Sequence, residues 1–85
     1  MNKNEVLTGV KEFVTERLFK GNVPKDFTND TPIVSTRLMD SLNVLSMIVF
    51  LEKEFKVEFE AHEVTVDNLD TIHLISDFVF QKLSK

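Results

Sequence analysis

The chain has 85 residues, of which 42% are hydrophobic, enough for one domain with a single core but too few to enclose a deep two-sided active-site cleft. It contains no Cys, which excludes disulfides, thiolate metal sites and thiol nucleophiles and fits a reducing cytoplasm. The net charge is −4, and nucleic acid is a poor partner for an acidic chain because phosphate backbones require clustered Lys and Arg. No apolar run approaches the roughly 20 residues of a membrane span. We therefore expect a soluble, cytoplasmic monomer with one domain over residues 1–85.

The first predicted element is a helix over about residues 3–20. Asn2 and Glu5 have the spacing of a capping box, and Gly21 is a stop signal. The long segment 21–39 that follows is rich in Pro, Asn, Asp, Ser and Thr, which is typical of an ordered loop. Apolar residues at helical intervals face the core in the first helix, and scattered ones are expected to pin the loop: Val6, Val10, Phe13, Val14 and Leu18, then Val23, Phe27, Ile33 and Leu38.

The second predicted helix runs from about Ser41 to Phe55. Its core stripe is Val44, Met47, Ile48, Leu51 and Phe55, and three further apolar residues, Leu42, Leu45 and Val49, fall outside that stripe. A bundle of this size cannot surround a helix that is apolar on nearly all sides. We therefore expect these three side chains at the surface, as a partner site or the mouth of an apolar cavity. The alternative is that the 21–39 loop covers them.

An acidic, irregular stretch with one short helical turn is predicted for residues 56–70. Residues 40–70 hold eight of the acids against two lysines. Val57 and Phe59 alternate with charges and could imitate a strand. A last helix starts near Asp70 and Thr71, where either residue can cap. Its residues expected to face the core are Ile72, Ile75, Phe78, Val79 and Leu83. The elements predict an all-α bundle of three main helices.

Ser41 stands out chemically because it places a hydroxyl at a helix start, where unpaired N–H groups and the helix dipole favour a phosphate. The plain alternative is that Asp40 and Ser41 only cap the helix. An enzyme with Ser41 as nucleophile and His62 or His73 as base is disfavoured, because the chain has no Gly-x-Ser-x-Gly elbow and little bulk for a pocket. The two histidines are eleven residues apart, without metal-ligand spacing, so we expect no metal site.

Several runs of residues together resemble the acyl and peptidyl carrier proteins over essentially the whole chain. They are Asp30-Thr31-Pro32-Ile33, Leu38-Met39-Asp40-Ser41-Leu42, Leu51-Glu52-Lys53-Glu54-Phe55 and Asp67-Asn68-Leu69-Asp70-Thr71-Ile72. The resemblance implies a four-helix bundle with a long first loop and a short third helix. It also implies that Ser41 accepts 4′-phosphopantetheine from coenzyme A, and that the thiol of this arm carries acyl or aminoacyl groups as thioesters.

The implied function is therefore that of a non-catalytic carrier in fatty-acid, polyketide, nonribosomal-peptide or related biosynthesis. The implied partners are a phosphopantetheinyl transferase, an acyl- or aminoacyl-activating ligase, and downstream synthases or transferases. We expect these enzymes to contact the second helix mainly through its exposed apolar residues, while acids tune the association rate. The predicted partner-binding residues are Asp40, Leu42, Leu45, Val49 and Glu52.

Two departures from the family pattern concern the surroundings of Ser41. Fatty-acid carriers typically place further acids on the early turns of this helix, where this chain has Asn43 and Ser46. The usual Gly shortly before Asp-Ser is missing, with Thr36-Arg37-Leu38-Met39 in its place. These differences favour a specialised stand-alone carrier of the aminoacyl or peptidyl kind. The alternative function is a non-catalytic helical protein-interaction domain in which the apolar surface docks a partner helix.

Overall fold

A computed structural model describes residues 2–84, which form a bundle of four α-helices. The described residues contain no β-strand, so the alternation around Val57 does not produce one. The expected all-α bundle of three main helices, a short third helix and a long first loop is confirmed. The helices are α1 (Lys3–Phe19), α2 (Ser41–Phe55), α3 (Val66–Leu69) and α4 (Ile72–Leu83), with a 3₁₀ turn at Ala61–Glu63 between α2 and α3.

The ends of α1 follow from local signals. The Asn2 side chain accepts a hydrogen bond from the Glu5 backbone N–H at 2.9 Å, and the Glu5 carboxylate accepts one from the Asn2 N–H at 3.0 Å. This is the predicted capping box. The helix ends where Lys20 takes a left-handed backbone conformation (φ 51°), directly before Gly21 at φ 90°. Residues in this conformation cannot continue an α-helix, so the chain turns away.

The core lies between the apolar faces of α1, α2 and α4, and α1 packs against both other helices. Five side chains expected to face the core are only half-buried: Phe13, Leu18, Val44, Phe78 and Leu83. The Phe13 ring stacks on the Phe50 ring with centroids 4.5 Å apart. The buried apolar residues of the three helices are Val6, Val10, Val14, Met47, Ile48, Leu51, Phe55, Ile72, Ile75 and Val79.

The 20–40 connection is fixed to the bundle by Ile33 and Met39, both buried. The Ile33 N–H donates to the Asp70 carbonyl, and the Met39 N–H donates to the Ile33 carbonyl, each at 2.7 Å. The prediction that Val23 and Leu38 pin this loop is wrong, because these side chains are 41% and 42% exposed. Met39, the neighbour of Leu38, points inward instead and brings the chain to the start of α2.

The acidic segment after α2 is better anchored than its composition indicates. Val57 and Leu69 are buried, and Phe59 and Val64 pack partly against the core. Thr71, rather than Asp70, caps α4, since its hydroxyl oxygen accepts the Leu74 N–H at 3.0 Å. Asp70 is thereby free to make other bonds. No helix within residues 2–84 combines the length and the apolar character that crossing a lipid bilayer requires.

Candidate functional site

Ser41 is the first residue of α2, and it is exposed. The residue before it makes the cap: the Asp40 carboxylate accepts the Asn43 N–H at 2.8 Å, and the Asp40 carbonyl accepts the Val44 N–H at 2.9 Å. Within residues 2–84, the Ser41 hydroxyl has no hydrogen-bond partner. The cap therefore does not use the Ser41 side chain, and its hydroxyl is available for a bond to another molecule.

The start of α2 favours a negatively charged group beside this hydroxyl. The backbone N–H of Asn43 donates to the Asp40 carboxylate, whereas the backbone N–H groups of Ser41 and Leu42 have no acceptor within residues 2–84. Unpaired amides at a helix start and the positive end of the helix dipole stabilise an anion. A phosphate ester on Ser41 would lie in this favourable field.

Beside Ser41 lies a cleft of about 660 Å³. One side is formed by the loop before α2, another by the first turns of α2, and the third by residues 64–69, which we call the cleft wall. Arg37 contributes a cationic side chain to the same cleft as Ser41. Most of the lining is apolar, and its apolar members include Val34, Met39, Val44, Leu45, Val64 and Leu69.

Asp70 joins two sides of this cleft. Its Oδ1 atom accepts the backbone N–H groups of Val34 at 2.9 Å and Ser35 at 2.8 Å, and its Oδ2 atom accepts the Ser35 hydroxyl at 2.8 Å. Partial burial raises the pKa of the Asp70 carboxyl, but the hydrogen bonds from Ser35 and Val34 outweigh it, so the pKa lies below its ordinary value. The charged carboxylate therefore holds the loop against the end of α3.

Arg37 adopts a left-handed backbone conformation, with φ 62°. A non-glycine residue in this region is uncommon, since its Cβ crowds the backbone, whereas glycine reaches it freely. Arg37 lies in the stretch where the family resemblance leads one to expect a Gly. At φ 62° Arg37 takes a conformation that a glycine would reach without this crowding, and its side chain brings a cation to the cleft that Ser41 also lines.

The three surplus apolar residues of α2 are exposed, as the helical periodicity predicts. Leu42 is 74% exposed, Leu45 58% and Val49 51%. The alternative that the preceding loop covers them is wrong. We call these three side chains the apolar surface. Val66 of the cleft wall adds a further side chain that is 45% exposed.

The two acids predicted to contact partner enzymes both accept hydrogen bonds from backbone N–H groups of this chain. Asp40 is exposed but caps α2 through its carboxylate. Glu52 is half-buried, and its Oε2 atom accepts the Phe59 N–H at 3.0 Å. Glu52 thus holds the segment after α2 against that helix. Its additional role toward a partner stays a prediction.

Within residues 2–84, neither histidine makes a hydrogen bond to Ser41. His73 Nδ1 lies 2.6 Å from Asp30 Oδ1, which links α4 to the first loop, and His62 Nε2 lies 3.7 Å from Glu60 Oε2. The part of the chain that the structure describes holds no group of three or more His, Asp or Glu side chains placed to bind a metal ion.

A second groove, of about 880 Å³, runs along α1 and the later turns of α2, past Phe13, Arg17 and Phe50. It is larger than the cleft beside Ser41 but has no contact with that residue. The Arg17 guanidinium lies 5.3 Å from the Phe13 ring centroid, which is an ordinary surface cation–π contact. We therefore place the candidate site at Ser41.

The sequence predicted Ser41 and the apolar surface, but it did not reveal that Asp70 joins two sides of the cleft. No family model matches the chain. A protein from Thermosynechococcus vestitus (strain NIES-2133 / IAM M-273 / BP-1) named acyl carrier protein is similar to it, with 30% identity over 84 residues that cover 99% of this chain and 99% of the relative.

Proposed function

Because this chain belongs to the acyl carrier protein family, we propose that it carries acyl or aminoacyl cargo on a 4′-phosphopantetheine arm attached to Ser41. The observation that best supports this proposal is the division of labour at the start of α2. Asp40 makes the cap, and the neighbouring Ser41 hydroxyl is exposed and unbonded within residues 2–84. A serine that served only as a cap would have its hydroxyl oxygen on a backbone N–H.

The residues around Ser41 fit such an arm. The amides of Ser41 and Leu42 and the α2 dipole favour the phosphate, and Arg37 adds a positive charge to the adjoining cleft. The apolar lining of that cleft suits an alkyl or acyl chain. When bound, the group supplies the thiol that this Cys-free chain lacks, and cargo is carried on that thiol as a thioester.

The apolar surface is the proposed contact for partner enzymes, namely a phosphopantetheinyl transferase, a cargo-activating ligase and downstream synthases or transferases. The first turn of α2 carries no acid, and Asn43 and Ser46 are uncharged. Partners with apolar docking grooves therefore fit this surface better than strongly basic ones. This favours a specialised aminoacyl or peptidyl carrier over a housekeeping fatty-acid carrier. A non-catalytic role, a monomeric state and a cytoplasmic location are parts of the same proposal.

A second candidate is a helical protein-interaction domain that uses the apolar surface alone. Three exposed apolar side chains on one helix favour it. It differs from the carrier in one respect that can be measured, because only a carrier gains a covalent group.

The test is intact mass after incubation of the purified chain with coenzyme A and a broad-specificity phosphopantetheinyl transferase. We expect the mass of one phosphopantetheine to be added to the wild type and nothing to Ser41→Ala. The variant should keep its helical circular dichroism and melting temperature, since Asp40 makes the cap bond. An unchanged wild-type mass, with a known carrier modified in parallel, would favour the interaction domain.

A further inference from the structure

Glu63 connects α4 to the cleft wall through two different sets of hydrogen bonds. Its carboxylate Oε1 atom accepts the Lys82 ammonium at 2.7 Å and the Glu60 N–H at 2.9 Å. Its carbonyl oxygen accepts the Thr65 N–H at 3.0 Å and the Asn68 side-chain amide at 2.9 Å. The side chain of Glu63 therefore faces α4, while its backbone holds the first residues of the cleft wall.

The pair that Lys82 forms with Glu63 is withdrawn from water. The side chains are only 17% and 19% exposed, whereas those of the Lys3–Asp77 pair, also 2.7 Å apart, are 58% and 48% exposed. The Lys82 ammonium lies 5.2 Å from the Phe59 ring centroid and 5.1 Å from that of Phe78. Two aromatic faces further stabilise the cation. Removing either charge would leave the other without its counter-ion in a mostly buried place, which is costly.

The charged state of Glu63 agrees with this geometry. The pKa of its carboxyl lies below the ordinary value because the Glu60 N–H, and next the Lys82 ammonium, hydrogen-bond the ionised form. Glu63 is therefore ionised at neutral pH, and the pair with Lys82 is a true ion pair.

Few packing contacts stabilise the cleft wall at the end near Glu63. Helix α3 has four residues, a single turn, and so short a helix gains little from its own hydrogen bonds. Val66 is 45% exposed, and Val64 packs only partly against the core. At the far end the wall is fixed by buried Leu69 and by the bonds of Asp70 to the loop. The near end depends on Glu63.

We propose that Lys82 is the positioning residue of the cleft beside Ser41: through Glu63 it fixes the cleft wall, and it thereby sets how readily the cleft admits an apolar ligand. Lys82 lies in the last turn of α4 and does not line the cleft. Only the identification of that ligand as the carrier's cargo rests on the proposed function. The mechanical link belongs to the unmodified chain.

The test is amide hydrogen exchange on the unmodified protein, comparing Lys82→Met with Lys3→Met, a matched loss of an exposed ion pair to α4. In Lys82→Met we expect the Val64, Thr65 and Asn68 amides, which are hydrogen-bonded to residues 61–65 near Glu63, to exchange about tenfold faster. Amides inside α1 and α2 should keep their rates. Lys82→Arg should restore most of the protection, because it keeps the charge, and Lys3→Met should leave the wall unchanged.

A second pair of variants covers the case in which Lys82→Met does not fold. Glu63→Gln removes the same ion pair from the other side and should also accelerate exchange of the wall. The double variant Glu63→Gln/Lys82→Met should exchange no faster than the worse single variant, since the two changes remove one shared interaction. The proposal would be overturned if the accelerations of the two single variants added in the double variant, or if exchange became faster by the same factor throughout the bundle. It would also be overturned if exchange of the cleft-wall amides did not change in the single variants.

Ligand entry provides the functional readout, with the neutral fluorophore N-phenyl-1-naphthylamine as the probe. We expect Lys82→Met to bind it several-fold more strongly than Lys3→Met or the wild type, and Lys82→Arg to bind it nearly as the wild type does. Equal binding by Lys82→Met and Lys3→Met would contradict the claim about ligand entry. Because no sample carries the arm, a failure of Ser41 to be modified would leave these results intact and would count against the proposed function alone.

Discussion

At the scale of single residues, the site depends on neighbours in the chain that divide two tasks. Asp40 caps α2, so the Ser41 hydroxyl beside it is left without a hydrogen bond within residues 2–84. Asp70 and Thr71 divide tasks in the same way: Thr71 caps α4, and Asp70 holds the loop. In both pairs a cap residue frees its neighbour to act elsewhere.

Asp70 yields a prediction about the pH dependence of stability. Because its folded pKa lies below the ordinary value of 3.8, its contribution is fully present above that value and is lost as the pH falls through the folded pKa. Asp70→Asn should reduce the free energy of unfolding at pH 7 by about 1–2 kcal/mol, since it removes charge-assisted hydrogen bonds. Urea unfolding of both proteins between pH 7 and pH 3 measures the difference.

We expect this difference to stay constant from pH 7 to about pH 5 and to shrink in more acid solution. Asp67→Asn, an exposed acid of the same segment, is the control and should cost little at any pH. A difference for Asp70→Asn that is independent of pH would show that its charge is not what holds the loop.

At the scale of secondary-structure elements, α2 has one apolar face in the core and a second apolar face exposed at the surface. Met47, Leu51 and Phe55 are buried, while the apolar surface of Leu42, Leu45 and Val49 is exposed. Exposed apolar residues contribute little to folding, so their substitution leaves the bundle intact. This makes α2 suitable for testing partner contacts without disturbing the fold.

We predict that Leu45→Ala slows modification by the transferase or loading by a ligase about tenfold at physiological salt, because a buried interface contact is lost. Glu52→Gln should have a smaller effect. The Gln side chain keeps an oxygen that can accept the Phe59 N–H, so this variant isolates the charge from the structural bond. Steady-state kinetics with purified partners compare the two, and a larger loss for Glu52→Gln would show that electrostatics dominate.

Helix α1 contains a glycine whose role is packing. Gly9 is a weak helix residue by propensity, but a Cβ added there would lie 3.0 Å from the Phe55 ring, which is buried. Helix propensity alone predicts that Gly9→Ala raises the free energy of unfolding by roughly 1 kcal/mol. We predict a smaller gain, since the Phe55 ring must shift to admit the new Cβ. Thr8→Ala, at an exposed neighbouring position, should stabilise by a few tenths of a kcal/mol. Thermal unfolding measures both, and a full gain at Gly9 would refute the packing argument.

At the scale of the whole molecule, local sequence patterns predicted the helices, but they did not reveal the contacts between residues that lie far apart in the chain. The Asn2–Glu5 capping box, the helical periodicity and the Asp40 cap act within a few residues, so the chain displays them directly. The Asp70–Ser35 and Lys82–Glu63 contacts join residues 35 and 19 positions apart. Nothing in the local sequence distinguishes these acids from their exposed neighbours, and the shape of the cleft was therefore beyond sequence analysis.

In the folded bundle the start of α2, the loop before it and the cleft wall line one cleft, and Leu45 belongs both to this cleft and to the apolar surface. The family membership and this arrangement both support the carrier proposal, which depends on Ser41 as the point of attachment. Ser35 and Ser46 are the nearest serines in the chain, and they serve as internal controls.

The most direct measurement is proteolytic digestion of the transferase-treated protein followed by tandem mass spectrometry of the serine-containing peptides. We predict that the phosphopantetheine is found on Ser41 and that Ser35 and Ser46 are unmodified. A group located on another serine, or no modified peptide under conditions that fully modify a known carrier, would contradict the account.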